Sequence, residues 1–336
     1  MPFLHRTRLF VNELLLPFGL AINRIEKQPT KWFRTALTIP VGRYSIRIPS
    51  QSTLSRLYGR DPEPLGPLGR LTSLVKKKFS SLAVVDIGAN IGDSACIIKT
   101  AEDVPILCIE GDEYIFAFLE ENIAQFQNAT ARKLFLGEAS KEIRATSEKS
   151  GWNLTLSPNE SATQTVKLTS FDDFIFGESG WETFKLLKID AEGFDCSIIR
   201  GAINFLREIH PVIHFEYNRE NMDLIGEPGI DTLLLLSDLG YSDLALHDPW
   251  GRFFCSTTLS ETNFIKDLHG YADSVHGRIP YYDITAFHDS DSDLAEKFRE
   301  LERQERNGKP CEDMREEPSR SEQTGIAKHC ESENKA

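Results

Sequence analysis

The chain has 336 residues, of which 40% are apolar, and its 51 acidic against 38 basic side chains give a formal net charge of −13. That length can bury a sizeable core and most simply makes one large domain with extensions. The acidic balance excludes a general nucleic-acid binder, which needs a basic face to meet phosphates. No stretch reaches the roughly 18–20 apolar residues that cross a bilayer, so no membrane span is expected.

Residues 1–69 read as an amphipathic N-terminal extension and linker. Met1–Ile22 mixes His5, Arg6 and Arg8 with an apolar run broken by Asn12, Glu13 and Pro17, and no small-residue cleavage site follows. A signal peptide is therefore not expected. Arg6, Arg8, Arg24, Lys27, Lys31 and Arg34 outnumber Glu13 and Glu26, so this basic segment could dock on the acidic core of its own or a second copy, which permits a homodimer. A hairpin is expected through Tyr44–Ile48. The Pro/Gly stretch Asp61–Gly69 reads as a linker, and Leu71–Phe79 as a helix whose Lys76–Lys77–Lys78 run is a solvated end.

The central reading is an α/β domain over residues 70–290. Leu82–Val85 runs apolar and then gives way to Asp86, Gly88 and Gly92, as a buried parallel strand does when it empties into a tight turn. Asp93 or Ser94 can cap the helix that follows. Ile106–Ile109 is a second strand ending in Glu110–Gly111, and Tyr114–Phe126 has helical spacing. Leu134–Leu136 reads as the third strand, with Gly137–Glu138 as its turn. Trp152–Leu156 and Thr165–Leu168 read as a hairpin, Phe184–Asp190 and Val212–Tyr217 as the fourth and fifth buried strands, and Asp195–Arg207 as the helix between them. Tyr241–Leu246 and Arg252–Ser256 flank a turn and form an antiparallel pair, and Tyr281–Phe287 offers one more strand. Residues 291–336 read as a charged C-terminal helix and a disordered tail. Alternating strands and helices predict a doubly wound, mostly parallel sheet with an antiparallel end strand and an N-terminal extension.

Six cysteines, at 96, 108, 196, 255, 311 and 330, show no paired spacing for zinc or a redox couple. Three lie inside apolar segments, which suits a reducing, cytoplasmic setting.

Glycines at a strand end let backbone approach a nucleotide closely. The dinucleotide fingerprint needs a third glycine where Asn90 stands, and no Lys-Ser/Thr phosphate loop is present. An acid at the turn, Asp86, disfavours phosphate and favours a ligand carrying ammonium or sulfonium, which points to S-adenosylmethionine (SAM). Glu110 at the second strand end suits ribose hydroxyls. Lys188–Ile189–Asp190–Ala191–Glu192–Gly193 places two more carboxylates at a strand end. Strand alternation puts Lys188 with Asp190, and His214 with Glu216. These groups supply candidate chemistry: Asp190 as the first choice of base, His214 as the second, and Lys188 able to pair with Asp190 or with a neighbouring acid. Alternatively Asp190, Glu192 and Glu216 could hold a divalent cation. Tyr217, Trp152 and Trp250 are candidates to stack on a sugar ring.

The order DIGANIGD, CIEGD, Thr169–Ser170–Phe171–Asp172–Asp173, LLKIDAEGFD, IIRGA and His210–Glu216 resembles the FkbM-type methyltransferase family over roughly residues 80–220. The third block departs from the family in having Phe171 where Leu usually precedes the acid pair. The resemblance implies a class I, SAM-dependent fold and O-methylation of a small molecule or saccharide acceptor. Carried over by position, it implies cofactor contacts at Asp86, Gly88, Ala89, Asn90, Gly92, Asp93, Glu110 and Gly111. It implies an adenine contact at Glu138, and an acid-rich turn at Asp190, Glu192 and Gly193 beside the reacting methyl.

Overall fold

A computed structural model describes residues 36–50, 52, 54–58, 66–150, 153–159, 161–272, 279 and 281–307. The leading amphipathic segment, residues 61–65 of the linker, Trp152 and the tail beyond residue 307 lie outside the described residues.

The chain opens with the hairpin β1 (Leu37–Val41) and β2 (Tyr44–Ile48), then α1 (Leu54–Tyr58) and α2 (Gly66–Lys78). Alternation follows: β3 (Ala83–Ile87), α3 (Asp93–Ala101), β4 (Ile106–Glu110), α4 (Glu113–Ile123) and β5 (Ala129–Lys133). A second run comprises β6 (Phe135–Gly137), β7 (Lys141–Ser150), β8 (Asn153–Pro158), β9 (Thr165–Ser170) and α5 (Phe171–Ile175). The second half holds β10 (Phe184–Ile189), α6 (Asp195–Arg200), α7 (Ile203–Ile209), β11 (Val212–Asn218), α8 (Arg219–Ile225) and α9 (Ile230–Asp238). It closes with β12 (Tyr241–His247), β13 (Phe253–Thr258), α10 (Thr262–Tyr271), β14 (Tyr281–His288) and α11 (Ser292–Arg306).

The main sheet has eight strands in the order β13-β12-β14-β11-β10-β3-β4-β5. The ladders joining β11, β10, β3, β4 and β5 are parallel. β13 supplies the expected antiparallel end strand. A second antiparallel strand, β14, lies inside the sheet between β11 and β12. Its insertion separates this sheet from the all-parallel dinucleotide-binding order.

Side chains alternate faces along each buried strand and divide the core in two. Val85, Ile87, Leu187 and Ile189 pack with α6, α7 and α9 on one face. Val84, Leu186 and Val212 pack on the other with Leu71, Ile98 and Phe298 of α2, α3 and α11. Ile39, Val41, Ile46 and Ile48 of the hairpin join this second core, so the hairpin is built onto the main sheet's helical layer.

Three sequence expectations are corrected. The third strand is Ala129–Lys133 rather than Leu134–Leu136: among the described residues it is the sheet edge, its ladder running to β4 alone, and it needs no unbroken apolar run. Phe135–Gly137 instead starts a four-stranded sheet of order β6-β9-β7-β8. Within it Asn153–Pro158 and Thr165–Ser170 both pair with the polar strand β7 and not with each other. The helix expected over Asp195–Arg207 is two helices, broken at Gly201, where a Cβ would stand 2.2 Å from the Gly137 carbonyl oxygen.

Candidate active site

β3 delivers the chain into a turn with three left-handed residues, Gly88 at φ 66°, Asn90 at 48° and Gly92 at 89°. A Cβ on Gly88 would lie 1.7 Å from the Asp190 carbonyl oxygen, so glycine is what lets the turns after β3 and β10 touch. Asparagine tolerates the left-handed region better than most residues. The Asn90 N–H donates to Glu110 Oε2 at 3.1 Å, while the Asp112 N–H donates to Oε1 at 2.8 Å. Glu110 therefore ties the first turn to the second; burial pushes its carboxyl up, against the pull of these N–H groups. Gly111 gives Phe135 its place, since a Cβ there would be 2.1 Å from the ring.

These turns open into a cavity of about 680 Å³, within the range of small-molecule sites. Gly88, Asn90, Asp93, Glu110, Gly111, Lys188, Asp190, Glu192, His214 and Glu216 line it. Asp86, Ala89 and Gly92 stand behind the lining: Asp86 and Ala89 are fully buried, and Gly92 precedes the first turn of α3. Asn90 Oδ1 is buried with no hydrogen-bond partner among the described residues, a polar atom left for a ligand.

Strand register explains the charges beneath. Asp86, Lys188, His214 and Thr285 are successive neighbours across β3, β10, β11 and β14. Lys188 Nζ lies 3.0 Å from Asp86 Oδ1 and 3.7 Å from Asp190 Oδ2, and donates to the Gly88 carbonyl at 3.1 Å. Ser94 Oγ donates to Asp86 Oδ2 at 2.5 Å. Burial alone would lower the Lys188 pKa, but Asp86 and Asp190 outweigh it and raise the value, so the ammonium stays charged. His214 Nδ1 lies 2.9 Å from Thr285 Oγ1, and burial, with His247 and Lys188 nearby, pulls its imidazole down to about 3.

One step toward the cavity the groups are acidic. Glu216 and Asp283 are directly opposed across β11 and β14, and Asp190 and Glu192 follow β10. Burial, then Asp190, pushes Glu192 up to about 7 and Asp283 up to about 8, and raises Glu216 well above its ordinary value. Asn221 Nδ2 donates to Glu192 Oε2 at 2.9 Å. Asp195, also pushed by burial and Asp190 to about 7, accepts from the Ala191 and Gly193 N–H groups at 3.2 Å and shapes the acid turn.

Not every predicted residue converges. Glu138 lies away from the cavity, paired with Arg200 at 3.0 Å in a network that includes Glu227. Among the described residues no group of three His, Cys, Asp or Glu side chains is placed to hold a metal ion, so the divalent-cation expectation at Asp190, Glu192 and Glu216 finds no support there. Tyr217 is buried, its hydroxyl 2.7 Å from His269 Nδ1, and is closed to a sugar ring. Trp250 is 68% exposed and lines the cavity mouth. Asp283, Tyr281 and Tyr58 also line the cavity, though none is a site candidate on the sequence alone; an acid in the apolar run of β14 is the available signal.

The methyltransferase FkbM domain matches residues 86–242, from the buried aspartate of the turn to the start of β12. The chain carries a methyltransferase FkbM domain. The sheet around it is mostly parallel, with β14 reversed between β11 and β12. Among solved structures, a methyltransferase FkbM from Methylobacillus flagellatus KT is 16% identical, with a TM-score of 0.36, over 61% of this chain and 43% of that one. The chain thus spans less than half the length of that structure. P. horikoshii TYW2 in complex with MeSAdo is 13% identical over 85% and 86%, with a TM-score of 0.39. A putative O-methyltransferase from Klebsiella pneumoniae is 11% identical over 66% and 79%, with a TM-score of 0.37. No curated protein matches the sequence.

Proposed function

We propose that the FkbM domain binds SAM in the cavity at the ends of β3, β4 and β10 and methylates a hydroxyl of a saccharide or other small metabolite, in the cytoplasm. The observation that carries this reading is the linked pair of turns, Gly88–Asn90 and Glu110–Gly111, opening onto one cavity with the charged row behind them. The residues fit an adenosyl ligand. Glu110 offers carboxylate oxygens at the second strand end, Asn90 offers an uncommitted Oδ1, and Asp190 with Glu192 offers negative charge for a cationic group.

SAM supplies, when bound, an electrophilic methyl on a positively charged sulfur. The chain's part is first to align an acceptor oxygen with that methyl, since positioning alone can lower a barrier by roughly 7–11 kcal/mol. Asp190, half-exposed at the cavity, is the group assigned to receive the hydroxyl proton. His214, held far below neutrality, is a weak proton acceptor, and Lys188, held charged, serves to fix Asp86 and Asp190.

Calorimetric titration with SAM, S-adenosylhomocysteine and NAD, with and without magnesium, tests the cofactor. Micromolar binding of the first two, unchanged by magnesium, followed by transfer of labelled methyl to a saccharide panel, is the expected result. Preference for NAD would remove the reading.

A further inference from the structure

The cavity is not closed by the matched domain alone. Leu54, Tyr58, Gly66, Pro67 and Leu68, all upstream of residue 86, line it as well. Tyr58 is the polar member. Its side chain is 3% exposed, and its hydroxyl donates to Asp93 Oδ2 at 2.8 Å. Burial, then Asp93, raises the phenol's pKa far out of reach, so it remains a donor. Asp93 is the first residue of α3, immediately after the left-handed Gly92, and is within electrostatic reach of Lys188 and Asp86. Burial raises its carboxyl, and the Tyr58 hydrogen bond pulls the other way.

We infer that Tyr58 is a cofactor-positioning residue: its ring forms a wall of the adenosyl cavity, and its hydroxyl, through Asp93, holds the Gly88–Asp93 turn in ligand-receiving shape. The inference rests on the SAM reading above. Asp93 is beside the negative Asp86, so a carboxylate there keeps one geometry only while a donor holds it. Loss of the hydroxyl frees the side chain to turn away or take a proton, and the N-terminal turn of α3 loses its clamp. A ligand seated on that turn then leaves faster, because affinity differences among variants of one site fall mostly on dissociation.

The test is S-adenosylhomocysteine binding to the full chain, by calorimetry and stopped-flow release, for wild type, Y58F, D93A and Y58F/D93A, with E302Q as a variant remote from the cavity. Y58F is expected to bind about 10-fold more weakly through faster release, with its urea midpoint close to wild type. The double variant is expected to lose no more than D93A alone, since both changes break one contact. E302Q is expected to lose stability and keep affinity. Wild-type affinity in Y58F overturns the inference, as does an affinity loss that tracks a lowered urea midpoint. A wild-type chain that binds no S-adenosylhomocysteine overturns the SAM reading and takes the inference with it.

Discussion

Asp283 shows how a single carboxyl couples the site to the stability of the whole chain. Its neighbours are Glu216 opposite, Asp190, Asp195 and Asp248, with Lys188 as the opposing cation. Burial and Asp190 lift it to about 8, whereas an unfolded aspartate sits near 4. A raised acid pKa means that the native state keeps a proton the unfolded state has lost, so stability falls as pH rises through the window between the two values. Glu192 and Asp195, at about 7, add to the same trend. Unfolded histidines are about half protonated at pH 6.5 and oppose this trend by a few tenths of a kcal/mol for each one held neutral in the fold, roughly RT ln 2, which is less than the carboxyls contribute and is common to wild type and D283N. Urea unfolding of the ligand-free chain should therefore show stability declining from pH 6.5 to 8.5. D283N should flatten that decline by up to about 2 kcal/mol. Equal slopes for the two proteins would mean that Asp283 is ionised throughout.

At the scale of elements, the approach of two turns is what the glycine at 88 secures. Alanine there would combine a left-handed φ of 66° with a Cβ 1.7 Å from a backbone oxygen, and backbone cannot yield as a side-chain end does. G88A is expected to destabilise by more than about 2 kcal/mol and to abolish SAM binding, read by urea unfolding and calorimetry together. Ordinary affinity in a well-folded G88A would show that the turns after β3 and β10 separate freely. Elements of this kind were legible in the sequence because buried strands announce themselves: Ala83–Ile87, Ile106–Glu110 and Phe184–Ile189 are mainly apolar and run into glycine or an acid at their carboxyl ends, and Val212–Asn218 is mainly apolar with Glu216 near its end. The strands that escaped are those only half-buried. ATARK at the sheet edge carries little apolar signal, and β7, KEIRATSEKS, carries scarcely more. The position of β14 was hidden for another reason: sheet order is fixed by long-range pairing, so Asp283 came opposite Glu216 without any local mark of it. The charged row Asp86–Lys188–His214 was half visible, since alternation gave each residue's side but not which strands adjoin.

At the scale of the molecule, the segments before and after the matched domain are joined to each other by a buried ionic cluster whose members all lie outside residues 86–242. Arg70 of α2 donates twice to Glu302 of α11, both at 2.7 Å, and His247 Nε2 of β12 lies 3.1 Å from Glu302 Oε2. Glu302 is 1% exposed and His247 fully buried. Burial would raise the glutamate's pKa, but the bonds from Arg70 and His247 more than reverse this and hold it low. A depressed carboxyl pKa adds stability that is whole above the unfolded value of about 4.3 and is lost as pH falls through the folded value. Removing the charge strands the mostly buried guanidinium of Arg70, and breaking a buried pair from one side costs roughly 3–5 kcal/mol. E302Q keeps the size and some hydrogen bonding, so its loss at pH 7 should fall at or below the lower end of that range. The difference from wild type should shrink on acidification toward pH 3, as the wild-type carboxylate takes up its proton. No residue of α11 lines the cavity, so affinity for S-adenosylhomocysteine should stay within about threefold of wild type under native conditions. A stability difference that persists undiminished at pH 3 would assign the helix's hold to its apolar contacts through Leu294, Phe298 and Leu301. An affinity loss would instead show that the C-terminal helix and the cofactor turns move together.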